Sequence, residues 1–175
     1  MSTYKFLARG ATAPFSGARW PEPAGGAPGA WVESVGPLEL CRRGAHVCRP
    51  VDLAHWLHDE LWETEVDGDR LDGIDCLVVR RARLVRRIDA WHQGGAARFA
   101  EACAQHAAEL TGGGADVRGF IDDAALSAQY GYTAVAAHAC AMAAARLGDD
   151  EEQAYRRERL WQADWIVRHV LSPGE

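Results

Sequence analysis

Trp62-Glu63-Thr64-Glu65-Val66, followed by Asp67-Gly68-Asp69 and then Asp75-Cys76-Leu77-Val78-Val79-Arg80-Arg81, decides how this chain is read. Strict alternation puts Trp62, Thr64 and Val66 on one side of a strand and Glu63 and Glu65 on the other. Asp67-Gly68-Asp69 reads as the turn, and Asp75–Arg81 as the pairing strand of an antiparallel hairpin. Upstream, Thr3–Ala8 reads as a further strand with Tyr4 and Phe6 on one face, and Trp31–Glu33 and Leu38–Cys41 as short ones flanking a Gly36-Pro37 turn. Residues 10–30, rich in glycine and proline, form a long irregular loop of a kind often functional or mobile. Asp52 reads as the N-cap of an amphipathic helix in which Leu53, Trp56, Leu57 and Leu61 share a face.

Downstream the period changes. Leu84, Val85, Ile88 and Trp91 fit a helix face from Ala82, broken at Gln93-Gly94-Gly95. Ala96–Leu110 is a second helix, stopped by Thr111-Gly112-Gly113-Gly114. A third runs from about Asp122 to Leu147, with Gly131 as a kink or break. A fourth runs from about Asp150 to Leu171, its acidic start and its Arg168-His169 end both suited to the helix dipole. Six of the seven prolines fall in residues 1–90, whereas residues 96–171 are alanine-rich. The fold expected is α+β: a small antiparallel β-rich half (1–90) packed on a bundle of three to four helices (91–175), together one domain spanning 1–175.

Composition narrows the function classes. The chain has 175 residues, 48% hydrophobic and 25% charged, with a net charge of −6. That balance is ordinary for a globular protein and argues against a nucleic-acid partner. No apolar run approaches the roughly 20 residues needed to span a bilayer, so no membrane role is expected. Phe6-Leu7-Ala8 is too short for an export signal and is closed by Arg9. Five cysteines, an odd number in a chain with no export signal, fit a reducing cytoplasm.

Several residue groups could carry chemistry. Cys41-Arg-Arg-Gly44-Ala-His46-Val-Cys48 offers thiolates and an imidazole, so Cys41, His46 and Cys48 could hold zinc, with Cys76, His138 or Cys140 as fourth ligand. The alternative, favoured because no Cys-x-x-Cys is present, is a turn in which Gly44 supplies positive φ and His46 makes a structural hydrogen bond. Glu63 and Glu65, two carboxylates on one strand face, suit acid–base work if an imidazole or arginine meets them. Arg80, Arg81, Arg83, Arg86 and Arg87 could clamp an anion, or pair with the Glu63/Glu65 strand, which needs no ligand and is preferred. Of seven tryptophans, most belong in a core. Trp20, in the long loop, and Trp62 are the ones placed on a ligand or partner surface. Trp161 and Trp165, with Glu158 alongside, mark a face expected to pack on the β-rich half. His138 reads as a buried, satisfied histidine.

Two stretches resemble known families. Ala-Ala-His138-Ala-Cys140, Ala154-Tyr155 and Glu158-Arg159-Leu160-Trp161-Gln162-Ala163-Asp164-Trp165 together resemble the alanine-rich helical tail of bacterial proteins labelled immunity proteins, which carry a similar Glu-Arg-x-Trp-Gln signature. Leu40-Cys41-x-x-Gly44-x-His46-x-Cys48, followed by a tryptophan-containing helix, is similar to a bacterial domain of unknown function with a Cys-x-x-Gly-Phe-His-Ala-Cys pattern; Ala45 and Val47 depart from it. The first resemblance implies binding to a toxin, and neither implies a catalytic residue. The function expected is that of a cytoplasmic bacterial protein that binds a protein partner, immunity-like in type. The alternative is a small-molecule enzyme with a site between the halves. It would use His46 as acid or base, Glu63 or Glu65 to orient it and Arg80 as anion clamp, for acid–base or nucleotide-type transfer chemistry. No particular cofactor follows beyond the zinc option.

Overall fold

The computed structural model describes residues 2–172 and is α+β. The chain divides into two compact units, Met1–His92 and Gln93–Glu175. Among the described residues no helix is long and apolar enough to cross a membrane.

The first unit is an antiparallel sheet that curls onto itself. Strand β1 (Thr3–Leu7) pairs with β4 (Glu60–Asp72), and β4 with β5 (Leu77–Arg87). The far edge of β5 is shared by β3 (Ala45–Val47) and β2 (Val32–Glu33). Beyond β3, Cys48 and Tyr4 of β1 exchange N–H···O bonds of 2.7 and 2.9 Å. The ring β1–β4–β5–β3 is thereby closed, which removes the open edges that an isolated small sheet would leave. Its interior is apolar: Leu7, Val47, Trp62, Leu77, Val79 and Leu84 fill it, joined by Trp20 from the long loop.

Four local readings are corrected. Asp67-Gly68 is not the hairpin turn. The strand runs on to Asp72, and the register shift between Asp67 and Arg70 is a bulge, with Gly68 at φ +79°. A Cβ there would lie 2.8 Å from that of Arg80, so the bulge needs glycine. Asp-Gly marks hairpin turns and bulges alike, because both need positive φ. The turn itself lies at Gly73, whose N–H donates to the Cys76 carbonyl at 2.9 Å. Residues 82–87 continue β5 rather than starting a helix: pairing with β4 outweighs the helical spacing of Leu84 and Ile88. The stretch read as a helix over 53–61 is a short 3-10 turn, Pro50–His55, after which β4 begins at Glu60. Asp52 is not its N-cap but its third residue, accepting from the Arg49 backbone and guanidinium at 2.9 and 2.7 Å. Leu38–Cys41 is a turn, bridged between Glu39 and Arg43, rather than a strand.

The second unit is four helices: α1 (Ala96–Glu109), α2 (Ala115–Gln129), α3 (Thr133–Leu147) and α4 (Glu151–Ile166), the last continued by a wider turn, Val167–Leu171. Gly131, at φ +76°, separates α2 from α3. The Asp150 side chain caps α4 by accepting from the Gln153 N–H at 3.0 Å, and Glu151 and Glu152 follow in its first turn. Alanines at 0% exposure on α3 (136, 137, 141 and 143) let neighbouring helices approach closely.

Candidate functional site

The residues proposed for catalysis do not converge. Glu63 and Glu65 face outward from β4 and meet arginines directly across β5: Arg86 at 2.5 Å and Arg83 at 2.7 Å. The ladder continues with Asp67–Arg81 and with Asp69–Arg80 at 3.2 Å. Arg80 also donates to the Ser34 and Gly36 carbonyls. Trp31 lies against this ladder, its ring centre 4.4 Å from the Arg83 guanidinium carbon and 4.9 Å from that of Arg81. The arginine run thus takes its ligand-free option. His46 pairs with Val78, five residues along β5 from the partner of Glu65, roughly 17 Å away at a strand's rise per residue.

His46 is also committed locally. Its Nε2 accepts the Cys41 N–H at 3.0 Å, which leaves Nδ1 to donate to the Gly44 carbonyl at 3.1 Å. Burial, opposed by the Gly44 bond and aided by nearby Lys5, lowers its pKa and keeps the ring neutral. Gly44 sits at φ +127°, where a Cβ would lie 2.3 Å from Val78 Cγ1, so the turn admits no side chain there. This arrangement corrects the metal reading: Cys41, His46 and Cys48 form no ligand group, and among the described residues no three His, Cys, Asp or Glu side chains gather to hold an ion. Cys41 is exposed, while Cys48 is buried and its thiol is pushed up to about 12 by that burial.

Trp20 and Trp62 are likewise not surface residues; each is about 95% buried in the barrel core. Trp62 Nε1 donates to Glu60 Oε2 at 3.1 Å. The same carboxylate accepts the Gly10 and Ala11 N–H groups, both at 3.1 Å. Burial opposes the charge on Glu60, but these donors outweigh it and hold its pKa below the usual carboxylate range. The long loop is therefore pinned to β4 at its start, and again at Gly29, whose N–H donates to Leu84 O at 2.9 Å.

The helical unit holds convergent polar groups beside a cavity. Glu158 on α4, only 7% exposed at its side chain, receives His106 Nε2 of α1 at 3.3 Å and the Cys140 thiol of α3 at 3.3 Å. The His106 ring stacks on Trp161, with centres 3.9 Å apart. Next to Glu158, Arg159 donates to Gln162 at 2.9 Å and to the Tyr155 hydroxyl at 2.9 and 3.0 Å. Gln162, fully buried, donates to Ala137 O at 2.8 Å. His106, Glu158 and Trp161, with Leu110, Leu147 and Arg157, line a cavity of about 310 Å³. Burial and Arg159 lower the pKa of His138, which stays neutral and sits at the exposed rim of this network rather than inside it. Trp161 and Trp165 meet His106 and Phe99 of α1. His106 escaped sequence reasoning. A lone histidine in an alanine-rich helix carries no signal until its helix is paired with α4.

A second feature is an apolar surface at the α2–α3 turn. Leu126, Tyr130, Tyr132 and Val135 are each more than half exposed. The two tyrosine rings lie 6.5 Å apart. The turn is fixed by Tyr132 N–H to Ser127 O at 2.8 Å and Gly131 N–H to Ala128 O at 3.1 Å. Asp122 and Asp123, exposed one turn before Leu126, extend the same stripe.

Comparison with protein-family models, with curated proteins and with solved structures returned no match.

Proposed function

We propose that this is a protein-binding module whose docking surface is the α2–α3 turn. The observation that carries the reading is the cluster of Leu126, Tyr130, Tyr132 and Val135, four large apolar side chains left in water within ten residues. Monomeric proteins rarely leave such groups clustered, and tyrosine is a favoured anchor at interfaces. The flanking Asp122 and Asp123 and the net charge of −6 suit a partner with a basic rim around an apolar centre. An immunity-type role is the form of this function to which the helical tail's resemblance points. Five unpaired thiols fit a reducing, cytoplasmic setting.

The test is co-purification from the native host with the wild-type chain and with the double variant Tyr130→Ser/Tyr132→Ser. Both side chains are exposed, so the melting temperature should not change, while partner recovery should fall at least tenfold. Undiminished recovery would contradict the reading, and so would a captured species that proves to be a second copy of this chain.

A small-molecule acid–base site is the second reading, and its location shifts from His46 to His106. It is favoured by the His106–Glu158 contact at the wall of a cavity near the lower size limit of ligand sites. An aromatic or apolar small molecule soaked against the full chain should perturb the His106 ring resonances. Unchanged resonances across a panel would remove this reading.

A further inference from the structure

Strand β3 closes the barrel with only three residues, and the seam between β3 and β5 ends in two cysteines. The register sets Ala45 against Val79, His46 against Val78 and Val47 against Leu77. Carried one position further, it sets Cys48 against Cys76. The backbone bonds of both residues fit that placement. Cys48 gives its N–H and its carbonyl to Tyr4 of β1, at 2.7 and 2.9 Å, and the Cys76 carbonyl accepts the Gly73 N–H, on the β4 side, at 2.9 Å. Both turn these groups away from the seam, so together they form a non-hydrogen-bonded antiparallel pair. Such pairs bring the Cα atoms to about 4.5 Å and place the side chains close together on one face. Disulfides span Cα separations of about 4.4–6.8 Å.

Neighbouring side chains hold the two positions together. Arg49, next to Cys48, donates to the Gly73 and Ile74 carbonyls at 3.0 and 3.3 Å. Trp56 Nε1 donates to the Asp75 carbonyl at 2.7 Å. The hairpin tip that precedes Cys76 is thereby tied to the segment that follows Cys48. Ala45, Val47, Leu77 and Val79 belong to the barrel core, so Cys48 and Cys76 alternate to its outer face. Both are buried there, at 4% and 3% exposure, and Cys76 lies two residues from the exposed Ile74.

We propose that Cys48 and Cys76 are a reversible redox pair, joined by peroxide in a disulfide that locks β3 to β5 and so fixes the closure of the barrel. One sulfur attacks a peroxide oxygen; the O–O bond breaks and a sulfenic acid and hydroxide result. The other sulfur attacks the sulfenic sulfur, and the S–S bond forms as the S–O bond breaks. The two sulfurs lose two electrons, peroxide takes them up, and the two thiol protons complete two molecules of water. A dithiol reductant reverses the step, as suits a transient disulfide in a reducing compartment.

Burial keeps both thiols protonated near neutral pH, Cys48 pushed up to about 12 and Cys76 to about 11. Lys5, whose amine donates to the His46 carbonyl at 2.6 Å, favours the Cys48 thiolate, and Arg49 that of Cys76; Asp52 and Asp75 oppose both. The pair is therefore slow to react and answers sustained rather than trace peroxide. The competing thiol is Cys41, which is exposed and near enough for its charge to bear on Cys76, but which lies outside the β3–β5 register.

The test is to treat the full chain with millimolar hydrogen peroxide, block the remaining thiols and map the cysteines by mass spectrometry. Cleavage after arginine puts each of the five cysteines in a separate peptide. The expected result is a Cys48–Cys76 linked peptide, at least tenfold more abundant than any other linked pair and abolished by dithiothreitol. The melting temperature should rise by at least about 3 °C and return to its starting value on reduction. In Cys76→Ala both the linked peptide and the rise should be lost. Absence of the Cys48–Cys76 peptide, or a map dominated by Cys41, would overturn the proposal. A linked peptide with no rise, or a rise that persists in Cys76→Ala, would overturn the lock. The wild-type map and its reversal decide the pairing even if Cys76→Ala fails to fold.

Discussion

The barrel pairs carboxylates with arginines on its outside, in rungs; the helical unit has exposed ion pairs too, but it also holds a buried polar network around Glu158, Arg159 and Gln162. On β4 and β5, Glu63, Glu65, Asp67 and Asp69 each meet an arginine across the strands, in water. Between α1, α3 and α4, Glu158, Arg159 and Gln162 satisfy one another and their neighbours with almost no solvent, and no buried side-chain nitrogen or oxygen among the described residues lacks a partner. The difference teaches where to look for consequence. An exposed ion pair is worth roughly 0–1 kcal/mol, because water screens it and ordering two long side chains costs entropy. A buried network is satisfied completely or it is destabilising, so each of its members has a large effect when removed.

That contrast breaks most visibly at Gln162. Gln162→Leu leaves the Ala137 carbonyl without its side-chain donor and deprives the buried Arg159 guanidinium of an acceptor. It should cost about 2–4 kcal/mol in urea unfolding. A loss below about 1 kcal/mol would mean that the network is not what holds the helices.

Lys5 is the barrel's exception, and its effect comes next. Its folded pKa, about 8, lies below the reference value of 10.5, so between these pH values the unfolded chain binds more protons and wild-type stability rises with pH. Lys5→Met, which carries no charge, should be more stable than wild type by about 1–3 kcal/mol at pH 7. The gap should close as pH rises from about 8 towards 10.5. A gap that stays constant across that range would show that the amine is not penalised by burial.

Glu60 is an inward carboxylate that is fully partnered. Glu60→Gln should cost about 1–2 kcal/mol, since the Gly10 and Ala11 N–H groups lose a charged acceptor. Because the folded pKa of Glu60 is depressed, its contribution is present above the reference value of 4.5 and is lost as pH falls through the folded value. The variant should therefore destabilise less steeply than wild type on acidification, as read from melting temperatures between pH 5 and pH 3.

The smallest effect belongs to the ladder. Glu65→Gln should change stability by less than about 0.5 kcal/mol, with the difference shrinking as salt is added. A loss of about 2 kcal/mol would overturn the contrast between the two units.

Much of the fold was legible in the sequence, and the errors have physical causes. The α+β class, the outward face of Glu63 and Glu65, the break at Gly131 and the start of α4 at Asp150 all follow from local patterns that the tertiary structure does not oppose. Asp67-Gly68 misled because a bulge and a hairpin turn ask the same of the backbone. Residues 82–87 misled because Leu84 fits a helix face with Ile88 and Trp91, and only pairing with β4 reveals the strand. The candidate site was less legible. Glu63, Glu65 and Arg80 stood out as dense charge, yet density on a strand face indicates cross-strand pairing. His106 and Glu158 lie 52 positions apart in sequence and meet only once α1 packs on α4.

The central claim is that function lies at the exposed α2–α3 turn and not on the charged ladder. The most direct measurement places a photo-crosslinking side chain at position 130, and separately at position 65, in the full chain in its native host. The account predicts a crosslinked partner protein from position 130 and none from position 65. Crosslinking from position 65 with none from position 130 would contradict it.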